Sequence, residues 1–441
     1  FLNHPDNNTA FYENDKVISY GMFKNRLFVW INHLSQKMSS GHLQRGDRVF
    51  FQLPQSVDLV LAYYSCLSLG LVAVPIFDSN PIGEIEGFAA LTTPKCFMTN
   101  HTLFKRLNYS IKEFEDLIGA QVLFCDDFEY SDTAPHKSTA QENFEQEDAI
   151  LFFTSGSTGK PKAVVYTYKT LYSVNKIYQE FIAITSQDIM ITGADLNGNA
   201  GFAFQILPIL EAGAAIYILT ERTGEQFLKG IVAGGTLTCT MPWLGMNLLN
   251  YIDKQKKKVF TNKLRYCLVG GDIVPKRFYL EFYQAFNVRP SELLGMSETN
   301  IYATNLQHHA VKQDSVGKAL PHTQISIRDQ DNQKLQAGEV GEIVVKTPMM
   351  FDRYWKNSIA TENTIVKDWV KTGDLGYLDN DGFLYFSGRL NNIIINCGDN
   401  LYPREIQQAI MSHSNIRNVV VIGIPNEITG ADIGAAITLL H

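Results

Sequence analysis

Handling phosphate takes many hydrogen-bond donors in a small space, and one short stretch of this chain supplies them. Thr154-Ser155-Gly156-Ser157-Thr158-Gly159-Lys160-Pro161-Lys162 gathers four hydroxyls, two glycines and two lysines. Glycine permits positive φ and leaves backbone N–H groups free to face an anion. The hydroxyls of Ser155, Ser157 and Thr158 add donors, and Lys160 and Lys162 add charge. This is not a Walker A loop, in which Gly-Lys is followed by Ser or Thr. Here Gly159-Lys160 is followed by Pro161. An ordinary flexible loop uses similar residues, but the two lysines beside the glycines favour a phosphate cradle.

Further polar motifs follow in order: Gly270-Gly271-Asp272, Gly295-Met296-Ser297-Glu298-Thr299, Lys371-Thr372-Gly373-Asp374-Leu375, and Gly388-Arg389 followed by Asn391, Gly398 and Pro403-Arg404-Glu405-Ile406. Together with the loop they resemble the adenylate-forming superfamily of acyl-CoA synthetases, peptide-synthetase adenylation domains and luciferases. The resemblance covers nearly the whole chain and is closest to the acyl-CoA synthetases and fatty acyl-AMP ligases. It implies an ATP-dependent acid–thiol ligase that makes an acyl-adenylate, then passes the acyl group to CoA or to a carrier's phosphopantetheine. The loop from Thr154 to Lys160 would bind the nucleotide's phosphates, with Thr158 and Lys162 on the β- and γ-phosphates. Gly271, Asp272 and Leu294 would lie beside the adenine, Gly295, Met296 and Ser297 would also bind the nucleotide, Asp374 would hold the ribose, and Arg389 the ribose or a phosphate. Glu298 and Thr158 would hold Mg²⁺, and Asn391 would be the hinge. The residue types fit. A carboxylate attacking the α-phosphate brings negative charge to negative charge, which donors and a divalent cation must neutralise. Mg²⁺ prefers hard oxygen ligands, and the Arg389 guanidinium offers a fork of donors.

The chain also departs from the family. Leu294 stands where a stacking Tyr is common, Ala163 where the loop closes on Gly, Tyr168 for a frequent His, and Gly198 for a His beside the acid pocket. Ala200 occupies the position of the Asp that holds a substrate ammonium in amino-acid-activating members. A buried ammonium without a counter-charge is costly, so the expected substrate is a fatty or other acyl acid. Asn199 to Phe204, Met241-Pro242-Trp243 and Tyr302-Ala303 are candidate pocket walls, although simple core packing accounts for most of them. The isoleucines of Asn392-Ile393-Ile394-Ile395 resemble the acyl-AMP ligase branch, whereas Glu298 to Gly317 has no room for that branch's insertion. No lid lysine segment of the family's kind follows Asn391. The alternatives are a nucleotide-binding pseudoenzyme or a stand-alone acyl-AMP ligase, and the end at His441 reads as an interrupted lid.

These residues need elements to carry them. Tyr20 to Met38 and Leu59 to Ser68 have helical patterns, and Asp47 to Leu53 and Val72 to Ile76 have strand patterns. Alternation of this kind argues for parallel sheet covered by helices. Asp379-Asn380-Asp381-Gly382 marks a hairpin turn, and Pro403 to Met411 a helix between strand runs. Ser131 to Asp148 is polar, like a surface linker, and Lys254 to Lys258 is a basic run typical of a solvated face. The expected fold is α/β. A large multi-sheet nucleotide-binding domain spans 1–390, and the start of a small α+β C-terminal lid, incomplete here, spans 391–441. The 441 residues are 45% hydrophobic, enough for a large core, and the net charge of −7 argues against nucleic acid as partner. Six scattered cysteines without a CxxC pair suggest neither zinc nor disulfides. With no membrane span in the pattern, a reducing cytoplasmic setting is expected, with the acid, ATP, and CoA or an acyl carrier protein as partners.

Overall fold

The computed structural model describes residues 3–130, 146–154, 161–254, 263–272, 274–306, 312, 314–396, 399–411, 413, 415–426 and 430–439. Two sheets form the bulk of the chain. One has seven strands in the order Arg353–Tyr354, Lys162–Thr167, Asp148–Thr154, Val72–Ile76, Arg48–Gln52, Cys96–Thr99 and Gln121–Phe124. The other has nine, running from Lys318–Ala319 through Asn300–Thr304, Ser291–Met296, Tyr266–Gly270, Leu237–Thr240, Ile189–Gly193, Ala215–Ile218 and Thr9–Glu13 to Lys16–Ser19. Their central pairings are parallel; the outer ones are antiparallel at both edges of the nine-stranded sheet and at the Arg353–Tyr354 edge of the seven-stranded one, whose other edge, Cys96–Thr99 with Gln121–Phe124, is parallel. Pro75 lies within a buried strand although it lacks an N–H. This is tolerated because the neighbour Asp148–Thr154 pairs with that strand only at Ala73.

Helices fill the space between the layers. Tyr20–Ser39 starts where the Ser19 side chain accepts a hydrogen bond from the Met22 N–H. It buries Phe23, Leu27, Trp30, Ile31 and Leu34, one stripe at helical spacing. Val57–Ser68 is capped by Ser56 and is buried almost all round, because residues of both sheets join it in one core. A short π-helix, Ala200–Ile206, follows the strand Ile189–Gly193. Gln205 inside it is fully buried. Its side-chain oxygen accepts from the N–H groups of Gly193 and Ala194, and its amide donates to the Ala194 carbonyl.

Two smaller sheets carry the C-terminal part. In a five-stranded antiparallel sheet, Trp369–Leu378 pairs with Gly341–Lys346, Ile365–Val366 and Leu384–Arg389. The expected hairpin turn is present. Asp379 accepts from the N–H groups of Asp381 and Phe383, and Gly382 adopts φ +79°. This hairpin sets Asp374 directly opposite Arg389. A final four-stranded sheet is ordered Asp399–Leu401, Ile394–Asn396, Gly430–Leu439, Ile416–Asn426, with the helix Pro403–Met411 packed against it. The chain is thus α/β with several sheets, as its sequence leads one to expect. Most of the polar stretch 131–148 and of the basic run 254–258 lies outside the described residues.

Five cysteines, Cys66, Cys96, Cys125, Cys239 and Cys267, are free and buried, and Cys397 lies outside the described residues. No helix among the described residues is long and apolar enough to cross a membrane.

Candidate active site

The motifs converge on strand ends and turns. A cavity of about 750 Å³ opens between the nine-stranded sheet, the hairpin carrying Asp374, and the final four-stranded sheet. Gly271, Asp272, Leu294, Gly295, Asp374, Arg389 and Asn391 all line it. Gly271 has φ +83°, a conformation open to glycine. Leu294 and Gly295 come from the strand Ser291–Met296, and Asn391 from the turn Leu390–Asn392 that leads into the last sheet. Seven residues singled out from the sequence thus meet at one void.

Asp374 is its buried acid. Tyr302 Oη donates to Oδ2 at 3.2 Å. Arg389 Nε lies 2.8 Å from Oδ1, but this ion pair lacks hydrogen-bond geometry, so Oδ1 is buried without a hydrogen bond. Burial pushes the Asp374 carboxyl up to about 6, against the downward pull of Arg389 and of the Tyr302 hydroxyl. Burial wins because Asp374 is wholly inside while Arg389 is half exposed, so water screens its charge. The Tyr302 hydroxyl is held well above its ordinary range by burial and then by the Asp374 charge, and so stays a donor.

A second group gathers around Glu298. Glu298 is 6% exposed, and its carboxylate accepts from Tyr354 Oη at 2.6 Å. Its backbone carbonyl accepts from the Phe351 N–H at 2.9 Å. Lys162 lies over the Tyr354 ring, 4.9 Å from the centroid, within range of a cation–π attraction. Burial, and then the Glu298 charge, raises the Tyr354 hydroxyl above its ordinary range. The preceding residue, Ser297, is held through its carbonyl, which accepts from Tyr166 Oη at 2.6 Å. The Met296 carbonyl accepts from the Thr299 N–H and closes the turn. Among the described residues no cation pairs with the Glu298 carboxylate. A buried, unpaired carboxylate is costly unless something positive approaches it, so its hard oxygens suit a divalent cation. Thr154 pairs with Lys162 where the strands Asp148–Thr154 and Lys162–Thr167 meet. Ser155, Gly156, Ser157, Thr158, Gly159 and Lys160 lie outside the described residues.

Three tyrosines hold this site: Tyr302, which the sequence offered only as a pocket wall, and Tyr166 and Tyr354, which no motif marks. Tyr166, Tyr302 and Tyr354 are donors to groups 131, 72 and 56 residues away. In a chain with 20 tyrosines, spacing does not mark them. The available signal was that buried carboxylates demand donors. Of the candidate pocket walls, Phe202 stacks on Tyr63 and Phe204 packs edge-on against Tyr178, so both serve the core. Trp243 is half exposed, beside Arg222.

A part-buried link ties the last sheet to the rest. Arg404, at the start of the helix Pro403–Met411, reaches Glu292 Oε1 at 3.2 Å and lies 4.4 Å over the Phe386 ring. Tyr279 Oη donates to the other Glu292 oxygen at 3.1 Å.

Comparison with known proteins gives the same outline. The family model of the AMP-binding enzymes matches residues 2–355. The long-chain-fatty-acid–CoA ligase FadD13 of Mycobacterium tuberculosis is 26% identical over 92% of this chain and 81% of its own length. The 2-succinylbenzoate–CoA ligase of Bacillus cytotoxicus is 29% identical over 88% of this chain and 77% of its own. The ATP-bound crystal structure of MatB from Rhodopseudomonas palustris matches in fold with a TM-score of 0.87 at 23% identity, over 99% of this chain and 86% of that one. With a family model matched along most of its length and relatives named as acyl-CoA ligases, this chain belongs to the AMP-binding enzymes and is an adenylate-forming ligase of the acyl-CoA synthetase kind.

Proposed function

We propose that the chain activates a fatty or other acyl acid with Mg²⁺ and ATP as acyl-AMP, then transfers the acyl group to CoA or to the pantetheine of a carrier protein. The observation that carries this reading is Asp374 Oδ1, buried at the nucleotide-sized cavity and lacking a hydrogen bond, as an acceptor awaiting a ribose hydroxyl would be. Arg389 beside it serves ribose or phosphate. Gly271, Asp272, Leu294, Gly295, Met296 and Ser297 form the adenine side, where Leu294 packs on the base without aromatic stacking. Thr154 to Lys160 and Lys162 take the phosphates. Glu298, with Thr158, would hold Mg²⁺, which supplies charge neutralisation at the phosphates.

In the first half-reaction a carboxylate oxygen of the acid attacks the α-phosphorus, and the bond to the β-phosphate oxygen breaks. Lys162 and the loop donors hold the departing pyrophosphate. In the second, a thiol sulfur attacks the acyl carbon and its proton is lost. The carbon–oxygen bond to AMP breaks, and AMP leaves. Residues 1–390 form the AMP-binding domain and 391–441 belong to a lid that turns about Asn391, a few residues absorbing the backbone change. Such a turn has to part Arg404 from Glu292.

The test is acid-dependent pyrophosphate release with hydroxamate trapping, over acids of graded length, with CoA and a carrier protein as rival acceptors. Release with an aliphatic acid is expected, and none with any aliphatic or aryl acid, while ATP binds, overturns the reading. Glu298→Ala is expected to slow adenylation about 100-fold at limiting Mg²⁺, as loss of one preorganised charge-stabilising group does.

A further inference from the structure

We infer that Tyr354 is a positioning residue that holds Lys162 and Glu298 apart while fixing both, so that cation and phosphates meet in one geometry. The inference rests on the cation-binding role proposed for Glu298. A lysine and a glutamate this close to one residue would ordinarily pair and cancel each other. Here each of them meets Tyr354 instead. The face of the Tyr354 ring takes the Lys162 ammonium at 4.9 Å, and its hydroxyl takes Glu298 Oε1 at 2.6 Å. The ammonium is attracted by the ring without being neutralised. The carboxylate is aimed by the hydrogen bond from the Tyr354 hydroxyl.

Tyr354 is itself well anchored. It pairs with Val164 on the strand that carries Lys162, and its N–H donates to Thr361 Oγ1 at 3.0 Å. The next residue, Trp355, donates its N–H to the Ala163 carbonyl at 2.8 Å, and Phe351 holds the Glu298 backbone. The segment 351–355 therefore binds the phosphate-loop strand on one side and the glutamate turn on the other. A group that orients a metal ligand in this way commonly changes metal affinity 10- to 100-fold when it is lost.

The test uses the full chain with Y354F, Y354L, E298A and the double variant Y354F/E298A. Y354F removes the hydroxyl and keeps the ring. Mn²⁺ binding is read by electron paramagnetic resonance with a non-hydrolysable ATP analogue, and the KM for ATP at saturating Mg²⁺ by pyrophosphate release. Y354F is expected to raise the Mn²⁺ dissociation constant about tenfold, with the KM for ATP unchanged and the thermal midpoint close to that of the parent. Y354L is expected to raise both constants, since the ring over Lys162 goes too. In the E298A background Y354F is expected to add nothing. An Mn²⁺ affinity unchanged in Y354F but weakened in E298A overturns the positioning role. So does a Y354F loss that persists undiminished without Glu298. An E298A variant that binds Mn²⁺ like the parent overturns the cation assignment itself.

Discussion

At the scale of single residues, Asp374 gives the clearest expectation. Its carboxyl is raised to about 6 by burial, yet it has to be ionised to accept ribose hydroxyls well. Nucleotide affinity is therefore expected to fall as pH drops through about 6, a titration of ATP-analogue binding by calorimetry. Tyr302→Phe removes a hydrogen bond that favours the charged form, so the acidic limb is expected to move to higher pH. For folding the sign is opposite. The folded chain holds the Asp374 proton more tightly than the unfolded chain, so this group's contribution to stability is full below its unfolded value near 3.8 and is lost as pH rises through about 6. Asp374, Arg389 and Glu298 were legible in the sequence because their neighbours form short motifs. Tyr354 was not, and Tyr302 was legible only as a pocket wall, because their partners lie in segments remote in sequence that only the fold brings near.

At the scale of elements, the hairpin was readable to within a residue or so, since Asp379 and Gly382 have turn chemistry independent of the rest. The π-helix Ala200–Ile206 was not. Its apolar residues suit an ordinary helix, and what shapes it is Gln205, buried and bonded to Gly193 and Ala194. Gln205→Leu strands two buried N–H donors and is expected to cost about 3 kcal/mol, read from the urea midpoint. Gly201→Ala is expected to cost about 1–3 kcal/mol. A methyl group there collides with the Asp195 carbonyl, so the backbone has to shift.

For the whole molecule, alternating helix and strand patterns announced parallel sheet under helices, and parallel pairings do form the centre of both large sheets. Which helices serve both sheets was hidden, because Val57–Ser68 reads as apolar all round whether one layer covers it or two. The Arg404–Glu292 link was hidden too, as no local pattern joins residues 112 positions apart. Glu292→Gln weakens it and leaves Tyr279 a partner, so the last sheet is expected to move more freely. Limited proteolysis between 389 and 393 is expected to quicken several-fold, and the charge-exchanged pair E292R/R404E to restore part of the protection.

The buried cysteines give the chain a set of internal clocks. Burial raises the thiols of Cys66, Cys96, Cys125, Cys239 and Cys267 above their ordinary range, so a thiol reagent meets neither surface nor thiolate until the structure breathes. Cys96 sits in the seven-stranded sheet, and Cys239 and Cys267 in adjacent strands of the nine-stranded one. In a background with Cys397→Ser, the order in which these thiols react records which sheet opens first, and nucleotide is expected to slow Cys239 and Cys267 more than Cys96.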